Sequence, residues 1–401
     1  MNNCIPDFTP YIPSDAALAV SELPDKAMQL STVSAQLAGR MSATTRKTIV
    51  HHMAVINSYY SNLIEGNNTL PHEIRAAQAG KLSADQAKRD LQLESIAHIQ
   101  VQAWLETEKP DLQTLYTPDF IKAIHREFYK QVPESFHQIK NPENNVVNII
   151  TPGNWREHDV IVGQHKAPPH DDVAALMKRF SDVYHPDRYN GDRKIIAIMC
   201  AHHRLAWIHP FSDGNGRVIR LFTDAALKAA GMESVGVWCL SRGLARSSVK
   251  YKSVLANADS TRKGDYDGRG VLSEKMLIEL SDFMLDTAND QAAYMNNLLA
   301  LDQMQQRIKH YVQARNDGRI TGLSPLKNNA ALVLYNAFIF GKLSRPLAIE
   351  SCGMPERTAR RLLAQLKEEG LLSETSSRSD IAWEIPDHAE PWYFPQLTPA
   401  A

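Results

Sequence analysis

A dense run of residues able to handle charge and protons lies near the middle of the chain. It reads His209-Pro210-Phe211-Ser212-Asp213-Gly214-Asn215-Gly216-Arg217-Val218-Ile219-Arg220. Pro210 disfavours the α conformation at His209, so a preceding helix should end there with the imidazole at its carboxyl end. A histidine in that position can take a proton from an attacking hydroxyl group.

The glycines of this run predict an anion-binding loop. Gly214, Asn215 and Gly216 allow a tight backbone with several N–H groups directed into one concavity at the start of the next helix, where the helix dipole also favours an anion. Arg217 and Arg220 share one face of that helix and are placed to hold further phosphate oxygens.

Asp213 adds a hard carboxylate beside this loop. Such a group suits Mg²⁺, which keeps most of its waters and bridges phosphates. With a base, an anion hole and two arginines within the same twelve residues, the run predicts phosphoryl or nucleotidyl transfer driven by positioning and charge neutralisation. The alternative is a Gly-rich turn with a packing histidine, which explains a lone Gly-Asn-Gly better than it explains the full ordered set.

The run resembles the signature of the Fic (filamentation induced by cAMP) domain family, H-P-F-x-(D/E)-G-N-G-R-x-x-R, at every fixed position. The likeness extends upstream to Pro152-Gly153, Arg156 and residues 160–163, and downstream to residues 264–274. It covers roughly residues 30–315 of the sequence.

This resemblance implies a role for each motif residue. His209 would deprotonate a Ser, Thr or Tyr hydroxyl of a protein target, and Asp213 would bind Mg²⁺. The loop Gly214, Asn215 and Gly216, with Arg217 and Arg220, would hold the phosphates of ATP. Gly216 favours AMP transfer, because the family's phosphotransferases carry a lysine at that place.

A second motif, Ser61-Asn62-Leu63-Ile64-Glu65-Gly66, lies far away in the sequence. Glu65 falls in the last turn of a predicted helix, where a carboxylate opposes the helix dipole at a cost of about 0.3–1 kcal/mol unless a cation pairs with it. The segment resembles the family's inhibitory S/T-x-x-x-E-G/N helix, which implies that Glu65 pairs with Arg220 in place of the nucleotide's γ-phosphate. A solvated surface glutamate is the alternative.

Two β-branched runs, Val146–Ile150 and Val160–Val162, flank Thr151-Pro152-Gly153-Asn154 and predict a hairpin. By resemblance to the family's flap, Val160, Ile161, Val162 and Gly163 would hold the target by strand addition, in which main-chain hydrogen bonds supply affinity and side chains add little selectivity. The alternative is a purely structural edge.

Three further residues carry weaker signals. Tyr251 lies where family members place residues near the adenine, and core packing explains it equally well. His202 and His203 invite a metal site with His209, but a helix separates His202 from His209 by about 10.5 Å, too far for one metal at about 2.1 Å from each ligand. Both are therefore interpreted as packing histidines.

Composition limits the class of protein. The 401 residues include 44 Lys plus Arg and 45 Asp plus Glu, which excludes a general binder of nucleic acid or acidic membranes. Four scattered cysteines exclude a disulfide framework and a zinc ribbon and favour the cytoplasm. Neither an export signal nor a run of 18 apolar residues occurs, so no membrane contact is expected.

Apolar spacing predicts a mainly α protein. The family resemblance implies a Fic-fold helical core with a β-hairpin flap. A helical N-terminal region (1–110) that carries the inhibitory motif 61–66 precedes the catalytic core and its trailing helices (111–315). Residues 1 to about 25 are Pro-rich and are expected on the surface or mobile. Helices are predicted over 48–64, 84–105, 118–129, 171–183, 193–208, 216–230, 240–258 and 273–313.

A C-terminal winged helix-turn-helix is predicted over 324–401, from helices at 327–340, 343–351 and 355–369 followed by the apolar run 381–383. The last helix presents Arg357, Arg360 and Arg361 near its start, where recognition helices contact DNA. From Ser324 onward, however, eight basic residues face nine acidic ones, which lacks the positive field of a typical DNA reader. DNA binding, protein contact and homodimer formation all stay open.

Together with the family resemblance, the sequence predicts a protein adenylyltransferase that uses ATP and Mg²⁺, with Glu65 restraining the reaction. Its substrate would be another protein or the chain itself, and the reverse removal of AMP stays open. Two alternatives remain: transfer of UMP, GMP or a phosphocholine group by the same site, and a DNA-binding regulator whose core senses nucleotide.

Overall fold

The computed structural model describes residues 7–140, 147–376 and 379–398. The strands of these ranges are short, namely β1 (Gln138–Lys140), β2 (Val147–Ile149), β3 (Ile161–Val162), β4 (His165–Lys166), β5 (Lys342–Leu343), β6 (Leu372–Ser373) and β7 (Ile381–Trp383). The helices are α1 (Asp15–Ala19), α2 (Leu23–Gly39), α3 (Ala43–Ile64), α4 (Pro71–Gln78), α5 (Gln86–Glu108), α6 (Leu112–Leu115), α7 (Pro118–Tyr129), α8 (Val173–Val183), α9 (Asp192–Ile208), α10 (Asn215–Ala229), α11 (Leu240–Arg246), α12 (Ser248–Ala258), α13 (Glu274–Leu298), α14 (Leu301–Asn316), α15 (Ala330–Phe340), α16 (Arg345–Ser351), α17 (Glu356–Glu368) and α18 (Glu390–Tyr393).

The mainly α prediction is confirmed. Local signals place several boundaries: Thr117 caps α7 by accepting a hydrogen bond from the N–H of Phe120, and Pro118 occupies its first turn. Within the described ranges, no helix is both long enough and apolar enough to cross a membrane.

The chain divides into two compact units. Unit 1 comprises residues 1–32, 57–235 and 239–291, and unit 2 comprises residues 33–56, 236–238 and 292–401. In unit 1, α10 packs against α9, α7 and α5. Helix α9 is buried along most of its length, from Ile195 to Leu205. This central pair of helices carries the His209 motif at its connection.

Unit 2 contains α14 to α18 and a three-stranded antiparallel sheet in the order β5-β7-β6. Residues from the first part of α3 belong to the same core: the hydroxyl of Thr45 donates to the Phe338 carbonyl over 2.6 Å, and His52 lies 3.2 Å from the Glu390 carboxylate.

The predicted pairing of residues 146–150 with residues 160–162 is wrong. Val147–Ile149 pairs instead with Gln138–Lys140, whereas Ile161–Val162 pairs with His165–Lys166; Val146 lies outside the described residues. The predicted turn at residues 151–154 does form, with Asn154 N–H donating to the Thr151 carbonyl. After this turn the chain does not pair with β2. It runs instead toward residue 210, where the Arg156 N–H donates to the Pro210 carbonyl.

The described part of the N-terminal segment is anchored by aromatic residues. Phe8 is completely buried, and the Tyr11 carbonyl accepts a hydrogen bond of 2.7 Å from the Tyr184 hydroxyl. An aromatic anchor therefore holds the described part of this Pro-rich stretch, whereas Ser14, Asp15 and Val20 are exposed. This agrees with the expectation that the stretch wraps on a surface.

Candidate active site

His209 caps the C-terminus of α9 in the left-handed conformation, with φ 49°. The following proline disfavours a further helical residue, and the His209 N–H still reaches the Leu205 carbonyl over 3.1 Å. The residue as a whole is half-buried. Burial, with Arg156 and His165 nearby, lowers the pKa of His209 to about 4. The imidazole is therefore neutral at physiological pH and able to accept a proton.

The Gly-Asn-Gly loop is closed by its own asparagine. The Asn215 side chain accepts from the Phe211 N–H at 3.0 Å and donates to the Phe211 carbonyl at 2.8 Å. Gly214 has φ 77° and lies so close to Tyr129 that a Cβ atom would stand 2.9 Å from its ring. The loop therefore presents the first N–H groups of α10 in a fixed arrangement.

Two residues of helix α7, His125 and Tyr129, pack against this loop and lie four positions apart on one helix face. The His125 ring stacks on Phe211 with centroids 4.0 Å apart. Its Nδ1 accepts from the Gly153 N–H at 2.9 Å, so Nε2 carries the proton and faces the Asp213 carbonyl at 3.3 Å. Burial lowers the pKa of His125 to about 3, which keeps this arrangement neutral.

Asp213 is well placed for a cation beside the loop. Its side chain is 46% exposed, and its Oδ2 atom accepts a hydrogen bond from the Tyr129 hydroxyl at 2.9 Å. No cluster of three His, Cys, Asp or Glu side chains in the described ranges could hold a metal by itself. The donor set fits Mg²⁺ bound through one carboxylate, waters and substrate phosphates.

Arg217 is buried and paired with Glu94 from α5, which the sequence alone did not single out. The guanidinium also lies 3.4 Å from Asp213 and 5.0 Å from the Phe128 ring centroid. The second oxygen of Glu94 accepts from the Asn67 amide at 2.7 Å. Both carboxylate oxygens of Glu94 are thus engaged, and they fix the first motif arginine.

Arg220 meets the second motif directly. Its Nη2 donates to Oε1 of Glu65 at 2.7 Å and to the Ser61 carbonyl at 3.0 Å, while Nε donates to the Ser61 hydroxyl at 2.9 Å. Burial would raise the pKa of Glu65, but Arg220 and Arg217 outweigh it and lower the pKa below its usual value. Glu65 is therefore a carboxylate at neutral pH, and it occupies the Nη2 edge of the Arg220 guanidinium.

Tyr251 and the adjacent histidines form a buried group behind Arg220. The Tyr251 hydroxyl lies 2.7 Å from Nε2 of His202, whose Nδ1 lies 2.7 Å from the Thr223 hydroxyl. His203 lies 3.0 Å from Asp259. Each histidine ring is engaged by neighbouring side chains, and burial lowers the pKa of His202 to about 3.

The flap is the hairpin β3–β4, turned by Gly163 at φ 60°. Val160 accepts from the Ala167 N–H, and Ile161 on β3 is 72% exposed. In the described residues, this sheet has two strands only. An outer edge of the flap is therefore free to pair with an added strand.

Residues 115–227 match the Fic/DOC family, and this segment contains His209, the loop and both arginines. The chain carries a Fic domain. Its 89 most similar residues are 38% identical to protein adenylyltransferase Fic of Drosophila willistoni, covering 22% of this chain and 18% of the relative. A longer match of 214 residues to the Culex quinquefasciatus protein of the same name is 28% identical and covers 51% and 37%. The chain thus spans well under half the length of these relatives.

Solved structures show the same fold. A Fic family protein from Desulfovibrio desulfuricans superposes with a TM-score of 0.51 and 17% identity, covering 90% of this chain and 96% of that one. Fic-1 from C. elegans gives a TM-score of 0.53 at 15% identity, covering 70% and 73%. At these identities the likeness establishes the Fic fold of the chain.

Proposed function

We propose that the Fic domain transfers AMP from ATP to a hydroxyl side chain of a protein. The observation that carries this proposal is a neutral His209 at the end of α9, next to a loop whose following helix presents Arg217 and Arg220. The curated relatives named protein adenylyltransferase support the same chemistry.

The proposed reaction is an in-line displacement at the α-phosphate. The target oxygen forms a bond to that phosphorus, the bond to the β-phosphate oxygen breaks, and pyrophosphate leaves. His209 takes the hydroxyl proton as the new bond forms. The N–H groups of the loop at the start of α10, with Arg217 and Arg220, bind the phosphates. Mg²⁺ held at Asp213 would neutralise phosphate charge.

Gly216 separates this proposal from phosphate transfer by the same fold. It has no long cationic side chain that could reach the phosphates and alter the nucleotide's orientation, in contrast to the lysine of the family's phosphotransferases. Other nucleotide or phosphocholine donors remain the rivals. A panel of ATP, GTP, UTP and CDP-choline, read by the mass added to the protein, distinguishes them.

Glu65 restrains the reaction in this proposal. The carboxylate occupies the Nη2 donor of Arg220 that a γ-phosphate would use. Bound ATP would then be misaligned for attack. The motif serine supports the arrangement, because Ser61 bonds Arg220 through both its hydroxyl and its carbonyl. Tyr251, which lies against Arg220, would then border the nucleotide.

We further propose that residues 324–401 form a winged helix that contacts protein. The element order α15-β5-α16-α17-β6-β7 and the sheet order β5-β7-β6 support this fold. Arg357, Arg360 and Arg361 are exposed, but Glu356 pairs with Arg360 at 2.6 Å. A gel shift that weakens steeply with salt and is lost in an Arg357→Glu, Arg361→Glu variant would establish DNA binding instead.

The central test is incorporation of AMP, measured by intact mass after incubation with ATP and Mg²⁺. His209→Ala should abolish incorporation while ATP binding persists, because the loop and arginines remain. His72→Ala, at an exposed histidine, serves as the matched control. Equal incorporation by wild type and His209→Ala would refute the proposed base.

A further inference from the structure

Arg156 lies between the turn at 151–154 and the flap, and it is almost completely buried at 2% exposure. Its Nε donates to the His209 carbonyl at 2.9 Å, and its Nη1 donates to the His158 carbonyl at 2.9 Å. Its Nη2 donates to the Pro168 carbonyl. One side chain therefore binds three backbone carbonyls from separate parts of the site.

Two of those carbonyls bracket the flap. His158 precedes β3 and Pro168 follows β4, so the guanidinium joins the chain entering the hairpin to the chain leaving it. The third carbonyl belongs to His209. A guanidinium holds its N–H donors in a rigid planar fork, which allows three directed bonds at once.

The buried positive charge of Arg156 has no close carboxylate partner among the described residues. The acidic side chain that approaches it in the described ranges is that of Asp159, which is half-exposed and whose Oδ1 lies 3.8 Å from Nη1 of Arg156. A buried charge without a close partner is costly, and apolar packing would serve stability alone better. The arrangement instead fixes backbone geometry.

A second contact holds the far strand of the flap to the same helix end. Nε2 of His165 on β4 lies 2.9 Å from the Trp207 carbonyl, two residues before His209. The Arg156 N–H also donates to the Pro210 carbonyl. Hydrogen bonds to the carbonyls of Trp207, His209 and Pro210 therefore connect the flap and Arg156 to this helix end.

We propose that Arg156 is a positioning residue that holds the flap in register with His209, so that a target strand docked on β3 presents its hydroxyl to the imidazole. The inference rests on the proposed AMP transfer. The contacts described for Arg156 lead to the flap and to His209 and Pro210, and the motif arginines make separate contacts. Losing Arg156 should therefore impair use of the protein target and spare ATP binding.

The test compares Arg156→Lys with Arg204→Lys, both in a Glu65→Gly background. Arg204 is also buried. Its Nε and Nη2 donate to the Pro10 carbonyl at 3.2 and 2.7 Å, and its Nη1 lies 2.7 Å from Nδ1 of His203, so neither partner belongs to the flap itself. Arg156→Lys should lower kcat/KM for the target by about a hundredfold, as expected for a misplaced reacting group. Its ATP Kd should stay at the parent value, and the amides of residues 160–167 should exchange hydrogen faster.

Arg204→Lys should reduce the melting temperature without changing kcat/KM for the target. An Arg156→Lys protein with parental kcat/KM and parental flap exchange would overturn the proposal, as would an equal loss in both lysine variants. If the Glu65→Gly parent transfers no AMP, the proposed function fails. Parental amide exchange in the flap of Arg156→Lys would then also overturn the proposal that Arg156 holds the flap.

Discussion

A Cβ atom at position 216 would stand 2.1 Å from Oε1 of Glu65 and 3.1 Å from Nη1 of Arg220. Gly216 is therefore the residue that leaves room for the ion pair between Glu65 and Arg220. In the proposed function, the glycine that would admit phosphates at the start of α10 also admits the carboxylate that would compete with them. Occupancy by Glu65 and occupancy by nucleotide phosphate would then be linked through one backbone position.

Removing the carboxylate should increase the proposed AMP transfer. We expect Glu65→Gly to raise AMP incorporation by well over tenfold, because a tenfold change in rate needs only about 1.4 kcal/mol. Intact mass or labelled-ATP assays measure this. Arg220→Ala should show no such gain, since it removes the phosphate contact together with the partner of Glu65. Unchanged incorporation in a folded, ATP-binding Glu65→Gly protein would leave Glu65 as an ordinary helix-end residue.

A small side chain at position 216 should mimic part of this effect. Gly216→Ala displaces the Glu65 carboxylate, so incorporation should rise in the otherwise unchanged protein. In a Glu65→Gly background the same alanine should bring no gain, because no carboxylate remains to be displaced. This dependence on background is a coupling between the two positions. Equal effects of the alanine in both backgrounds would contradict the steric linkage.

The pair between Glu94 and Arg217 should contribute strongly to stability. Glu94→Gln leaves a buried guanidinium without its main carboxylate, and we expect the free energy of unfolding to fall by about 3 kcal/mol. Glu106→Gln is the matched control, because Glu106 joins Lys228 between the same two helices, α5 and α10, at a more exposed place. Its effect should be below about 1 kcal/mol. Similar urea midpoints for both variants would show that burial does not strengthen the Glu94 pair.

Acid should destabilise the fold through buried histidines. Burial lowers the pKa of His209 to about 4. It lowers the pKa to about 3 for three further histidines, His98, His125 and His202. The unfolded chain takes up these protons below about pH 6.5 and the folded chain does not, so stability falls as the pH drops from 6.5 toward 4. Burial raises the pKa of Asp224 to about 7, which offsets one of these protons.

Each histidine contributes a slope of about 1.4 kcal/mol per pH unit in this window. Urea unfolding at a series of pH values should therefore show a steep loss below pH 6. His202→Gln should reduce that slope, and His72→Gln serves as a surface control. If His202→Gln left the slope unchanged, His202 would not be held neutral in the folded state.

The sequence predicts those parts of the site that depend on neighbouring residues. Pro210 places His209 at a helix end, and the glycines place the loop before α10, because both effects act within a few residues. The approach of Glu65 to Arg220 followed from a family resemblance, since nothing local connects positions 155 residues apart.

The supporting residues could not be found in this way. Glu94 is separated from Arg217 by 123 residues, and His125 from Asp213 by 88; their roles depend on how α5 and α7 pack against α10. The four-residue spacing of His125 and Tyr129, which puts both on one face of α7, is the sequence signal that could have indicated their shared role. The strand pairing was mistaken for a related reason, because strands of two or three residues carry too little pattern to fix a partner.

Glu65 and Arg220 belong to one polypeptide, so the carboxylate that we propose to be inhibitory faces its arginine at an effective concentration that dilution cannot change. Each molecule would carry the same restraint at any expression level. Release then requires a change of conformation around residues 61–65, driven by whatever binds the open form more tightly than the closed one.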